Sequence, residues 1–277
     1  MKSTALITCL LLLCSCTPEI WEDRSGCPSW FSLDFSKVDP NIKQLHIWFT
    51  DSDSGEMLLV DTVYSSQYDN NYEVELPRMD NLKCFVWGNI NSNTILTEEN
   101  SLNTSLRKKD GMSSDSLYFY GSKHINTRKE FVFDTVRLNK EFATVDFIMK
   151  GRPQKRDDIH IEVESTTPGQ YIDRRFMQGT AYIAVDDKVN LEGNSLFRFR
   201  LNRQERLEDL VVKILGTVEG IPVEIDRFPL GEFLKKSNYT MTTIDLKDVT
   251  VTLDLSFNFI TIKIEDWSTT YPVDIEI

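Results

Sequence analysis

Basic residues are in deficit. The 277 residues hold 31 Lys and Arg against 43 Asp and Glu, a formal net charge of −12. Affinity for phosphate backbones needs clustered Lys and Arg, so nucleic acid is excluded as a partner. An acidic surface also does not adhere by its own charge to an anionic membrane. Histidine is scarce: His46, His124 and His160 serve the whole chain. None stands in an HExxH string, and there is no G-x-S-x-G elbow, no Walker loop and, after residue 16, no C-x-x-C pair. The expectation is a protein that is not an enzyme and uses no metal and no small-molecule cofactor. Long apolar runs are missing as well. Beyond the N-terminus no segment approaches the roughly 20 apolar residues of a spanning helix. What is present is 40% hydrophobic residues, enough for a real core and too much for a disordered polymer.

The first residues read as a targeting device. Lys2 supplies a positive start, and Ala5 to Leu13 form an apolar run too short to span a membrane. The run ends in Leu13-Cys14-Ser15-Cys16, which resembles a lipobox, with Leu13 three positions before Cys16 and the small Ser15 just before it. Residues 1–15 are then a lipoprotein signal peptide, Cys16 carries the acyl chains, and 16–28 is a lipidated linker. A plain secretory signal cut near Ser15 is the alternative. Each buried CH₂ of an acyl chain contributes ~0.8 kcal/mol, so the anchor is lipid only. Cys9 and Cys14 leave with the signal. Cys27 and Cys84 remain as a candidate disulfide, worth ~4 kcal/mol in the chain-entropy model. Two buried free thiols are the other reading, since the run Leu82 to Trp87 is apolar apart from Lys83.

Alternation with period two dominates the body. Phe31, Leu33 and Phe35 oppose Ser32, Asp34 and Ser36; Leu45, Ile47 and Phe49 repeat the pattern, as do Tyr72, Val74 and Leu76 against Glu73 and Glu75. Further strands are predicted at 117–120, 130–136, 142–149, 159–165, 180–185, 196–201, 210–217, 223–228, 249–255 and 259–265, with one short helix at 230–236. The charged stretch from Lys150 to Asp158, broken by Gly151 and Pro153, is taken as a domain boundary. The expectation is all-β: an N-terminal β-sandwich over 29–150 and a C-terminal one over 151–277. No internal repeat aligns the halves.

Four local constellations hint at chemistry, each beside a plainer reading. His160, Glu162 and Glu164 share one strand face, where a metal could bridge imidazole and carboxylate, or where the strand is merely solvated. Asp51 to Glu56 resembles part of a calcium loop but lacks an EF-hand's length, and a polar hairpin turn explains it equally. Trp48 and Trp87 offer sugar-stacking platforms, the basis of an alternative function as a surface glycan-binding lipoprotein, or pack in a core or between domains. Three Asp-(Ser/Thr)-apolar strings, at Asp61, Asp115 and Asp134, match a short bacterial O-glycosylation acceptor that chance also produces.

The string Trp21-Glu22-Asp23-Arg24-Ser25-Gly26-Cys27-Pro28, just after the lipobox and before a Phe/Leu-alternating strand, resembles the start of the FimB-type fimbrial anchor subunits of Bacteroidales. The pair Val249 to Leu255 and Phe259 to Trp267, ending in Asp-Trp, extends the resemblance. It implies a type V pilus built of tandem transthyretin-like Greek-key β-sandwich domains and assembled by strand exchange. In such pili, cleavage after an Arg beyond the first strand opens a groove that the next subunit's C-terminal strand fills. Here the basic residues between the first two strands are Lys37 and Lys43, with no Arg, as the resemblance implies for an anchor that keeps its first strand. Arg24 precedes that strand, so a cut there would free the body from the membrane. The tail from Tyr271 to Ile277 alternates, with Val273, Ile275 and Ile277 on one face; it is either a donor strand for a fimbrial stalk subunit or the ordinary last strand of the second sandwich. The expected place is the base of a fimbrium, as a surface-exposed lipoprotein of the cell outer membrane.

Overall fold

A computed structural model describes residues 26–122, 124–151, 159–186, 188–189, 194–218, 221–254, 259–264 and 267–272. The chain is nearly all β. The first half holds β1 (Ser29–Asp34), β2 (Gln44–Asp51), β3 (Met57–Tyr64), β4 (Tyr72–Leu76), β5 (Leu82–Gly88), β6 (Thr94–Thr97), β7 (Ser105–Lys108), β8 (Tyr118–Gly121), β9 (Phe131–Thr135) and β10 (Asn139–Lys140). Then come β11 (Phe142–Lys150), β12 (His160–Ser165), β13 (Gly169–Tyr171), β14 (Ala181–Asp186), β15 (Lys188–Val189), β16 (Ser195–Asn202), β17 (Val211–Val218) and β18 (Ile221–Phe228). The short helix α1 (Leu230–Lys236) precedes β19 (Val249–Asp254), β20 (Phe259–Ile264) and β21 (Trp267–Pro272).

Two sandwiches result. In the first, the sheet β4-β1-β9 faces the sheet β10-β8-β5-β2-β3. The inward residues predicted by alternation, Phe31, Leu33, Leu45, Ile47 and Phe49, lie between them with no measurable exposure. In the second, β15-β16-β11-β19-β20-β21 faces β14-β12-β17-β18 across Phe147, Phe197, Val251, Ile161 and Val212. Burying such side chains contributes about 1.5–3 kcal/mol each, which is what selects one register over a one-residue slip.

The two halves share a plan that their sequences hide. In each, the first strand is central, with an antiparallel neighbour on one side and a parallel one on the other. These neighbours are β4 and β9 for β1, and β16 and β19 for β11. This moves the predicted boundary. Phe142–Lys150 opens the second sandwich rather than closing the first, so the break placed at 150/151 falls inside the second domain. The charged stretch begins at Lys150 and Gly151, which are exposed, and it falls between β11 and β12 of the same sandwich.

The halves are joined by a third, small sheet, β13-β7-β6. Gly169 is required there by close approach: a Cβ would stand 2.1 Å from the Leu106 carbonyl oxygen.

Candidate functional site

β1 is the central strand of its three-stranded sheet. It pairs antiparallel with β4, Phe31 opposite Val74, and parallel with β9, Phe31 opposite Val132. Phe31 meets Phe49 of the facing sheet edge-on at 5.3 Å, a geometry that adds to simple area burial. After β1 the chain turns through an Asp34 carboxylate that accepts from the Ser36 backbone N–H (2.8 Å) and hydroxyl (2.9 Å); these bonds hold Asp34 below the usual carboxylate pKa. Lys37 is exposed and Lys43 lies at the entry to β2, where its N–H donates to Asn89 Oδ1.

The last described strand, β21, is docked. It pairs antiparallel with β20 from Phe259 opposite Pro272 to Ile264 opposite Trp267, at the edge of the six-stranded sheet. Tyr271, the first residue of the expected donor segment, packs on α1, its ring 5.6 Å from Phe233 and its hydroxyl 3.2 Å from Ser237 Oγ. Val273, Ile275 and Ile277 lie outside the described residues, as do the signal peptide, Cys16 and Arg24.

Cys27 and Cys84 are free thiols, so the candidate disulfide is not formed. Cys84 sits on the core face of β5 with no exposure, and burial pushes its thiol pKa well up. Cys27 is exposed just ahead of β1. The reading of two buried thiols therefore holds for only one of them.

The remaining constellations resolve to structure. Lys213 of β17 reaches both Glu162 Oε1 (3.3 Å) and Glu164 across β12, making an ion-paired strand face. Among the described residues no group of three or more metal-ligating side chains converges. Asp51 caps the β2–β3 turn, accepting from Asp53 N (2.9 Å) and Ser54 Oγ (2.7 Å) while Gly55 takes φ 73°. Of the acceptor-like strings, Thr62 bonds to His46, Ser116 to Arg200 and Thr135 to Asp34.

Trp48 and Trp87 are wholly buried, which removes them as sugar platforms. With Phe85, Phe119 and Leu106 they cover the outer face of the five-stranded sheet, and Ile172 from the second half completes the cluster. The Trp87 indole N–H donates to the Ile172 carbonyl at 2.8 Å. Beside it, Glu141 receives Arg203 at 2.8 and 3.2 Å and Arg174 at 2.9 Å. Alternation could not reveal this interface. A strand buried on both faces, such as β5, reads as a continuous apolar run.

A family model described as Mfa2, fimbrillin-A associated anchor proteins Mfa1 and Mfa2, matches residues 24–271. No curated protein sequence matches the chain. The fold is similar to that of the fimbrial anchor protein Mfa2 from Porphyromonas gingivalis, with 14% identity and a TM-score of 0.66 over 87% of this chain and 99% of that one. It is also similar to a putative polysaccharide binding protein from Bacteroides thetaiotaomicron (12% identity, TM-score 0.64, 88% and 98% covered). A putative adhesin from Bacteroides ovatus is similar too (13% identity, TM-score 0.61, 88% and 96% covered). The chain belongs to the family of fimbrillin-A associated anchor proteins.

Proposed function

We propose that this protein is the anchor of a fimbrium and the stop of its growth. Cys16 carries acyl chains that tether it to the outer membrane, and its C-terminal strand engages the first stalk subunit. Its own first strand stays in place, so its groove is never offered to another subunit. The observation that carries this reading is β1 itself, hydrogen-bonded on both edges and seated in the core, with lysines but no arginine between it and β2. Removing β1 would take Phe31 and Leu33 out of the core together, a loss on the order of 3–6 kcal/mol by side-chain burial, against a typical domain stability of about 5–15 kcal/mol. A subunit that keeps this strand is closed by construction.

In cells, deletion of the gene is expected to give long, easily shed fimbriae, and Cys16→Ala to release the protein and its fimbriae from the membrane. Filaments of unchanged length and attachment in the deletion strain would refute the anchor role. Absence of acyl mass on the wild-type chain would refute the tether alone.

A further inference from the structure

The solvent face of the β4-β1-β9 sheet is built as a binding surface. Outward positions line up in two cross-strand rows: Glu75, Trp30 and Phe131 in one, Glu73, Ser32 and Phe133 in the next. Each row runs from a carboxylate on β4 to an aromatic ring on β9. Phe131 is 71% exposed, Phe133 61% and Trp30 44%, and the rows border a groove of about 490 Å³. Three large aromatics side by side in water are unusual on a soluble surface, where apolar residues are normally scattered and a contiguous patch marks an interaction site. The Ser32 hydroxyl at the groove is buried and makes no hydrogen bond.

We infer that this face binds a neutral polysaccharide. Flat, exposed rings offer apolar platforms to the C–H faces of sugar rings, in the way aromatic side chains stack on other flat ligands. Outward positions two residues apart on a strand stand roughly 7 Å apart, so Phe131 and Phe133 present consecutive platforms along an extended chain. The second requirement is met by the other side of the groove. Glu73 at the groove and Glu75 beside it on β4 accept hydrogen bonds from sugar hydroxyls, which supply the donors.

The same acids weigh against other occupants. An apolar protein surface would desolvate two carboxylates without pairing them, at a cost of several kcal/mol. An anionic bilayer would be repelled by them and by the overall charge of −12. Neither acylation nor strand donation enters this inference, which stands or falls apart from the anchoring role.

The test is retardation of the full mature chain in native gels cast with amylopectin, yeast α-mannan or arabinogalactan. Wild-type protein is expected to be retarded by at least one of them, with Trp30→Ala and Phe131→Ala each weakening apparent affinity at least tenfold and Glu73→Gln weakening it severalfold. Val60→Ala, another exposed apolar position (46%), is the unaffected control. Thermal melting of Phe131→Ala, whose side chain is mostly in water, separates lost binding from lost folding. Retardation by none of the three polymers, or equal retardation of wild type and the two aromatic variants, overturns the inference. Loss of stalk-subunit capture by Trp30→Ala without any polysaccharide retardation overturns it too and reassigns the face to a protein partner.

Discussion

Glu141 and Arg203 form an ion pair at the junction of the two sandwiches with almost no access to solvent. The Glu141 side chain is fully buried and that of Arg203 is 5% exposed, with Nε 2.8 Å from Oε2. The remaining guanidinium protons go to the carbonyls of Met241, Thr243 and Ile244. Such a pair contributes little net stability compared with an apolar substitute, but losing Arg203 leaves the buried Glu141 with only the half-buried Arg174, and losing Glu141 leaves the Arg203 charge without a carboxylate. Its use here is geometric. Glu141 stands between β10 and β11, where the chain passes from one sandwich to the other, and Arg203 immediately follows β16.

Arg203→Met is therefore expected to destabilise the protein by about 3–5 kcal/mol, and Glu141→Gln by less, because a neutral amide can still accept. In the double variant the loss should fall short of the sum of the two. Chemical denaturation of all four proteins measures the coupling; additive losses would show that the pair does not act as a unit.

Trp87 is the apolar counterpart of that junction. Trp87→Ala is expected to cost about 3–5 kcal/mol, and Trp87→Phe about 1–3 kcal/mol, since the Ile172 carbonyl loses its donor. Gly169→Ala, which drives a methyl group into the Leu106 carbonyl, should resemble Trp87→Ala rather than a surface change. Limited proteolysis of these variants should cut first in segments linking the halves, and uniform protection would argue that the junction is not the weak seam.

Lys108 makes stability depend on pH. Its side chain is 5% exposed and donates to the carbonyls of Tyr182 (2.6 Å) and Lys109 (3.2 Å). Burial pulls its pKa down to about 8, opposed in part by Asp110. The unfolded chain holds this proton up to a pH of about 10.4. Between these values the unfolded state binds more protons, so stability contributed at this site rises with pH across that window, and below pH 8 the charged lysine is a constant penalty. Lys108→Met is expected to exceed wild type by up to ~3 kcal/mol at pH 7, with the gap closing toward pH 10. Urea denaturation across that range decides it, and a gap that does not change with pH would rule out the lysine as its source.

The thiols should separate cleanly by rate. In the native protein a thiol reagent is expected to modify Cys27 at once, while Cys84 reacts only as fast as the fold opens, because it is both inaccessible and held in the protonated form. Non-reducing mass spectrometry of unmodified protein should show no loss of two hydrogens; a fast double modification, or a bonded mass, would contradict the buried placement.

Several strands with one face in water are legible from the residues. β1, β4 and β12 alternate cleanly because each presents a single inward face. α1 was legible from its two-lysine end, where cations favour the helix dipole. β3, β5, β21 and the short strands β6, β7, β10, β13 and β15 escaped. β13 pairs with a strand far away in sequence, Gly169 opposite Arg107. The groove face escaped as well. Trp30 looked like one more outward residue until β9 was laid parallel to β1, a pairing that local sequence does not encode.

The sequence by itself determined the all-β class, the acidic body, the inward registers and the anchor-like absence of arginine after the first strand. These are properties of residue type and period two, set within a few neighbours along the chain. The tertiary structure alone decided that Phe142–Lys150 begins the second sandwich and that Trp48 and Trp87 are buried between the halves. It also decided that Cys84 has no partner and that Trp30, Phe131 and Phe133 form one surface. Each of these depends on which distant strand lies alongside, and that is settled by the burial of whole sheets against one another rather than by any local pattern.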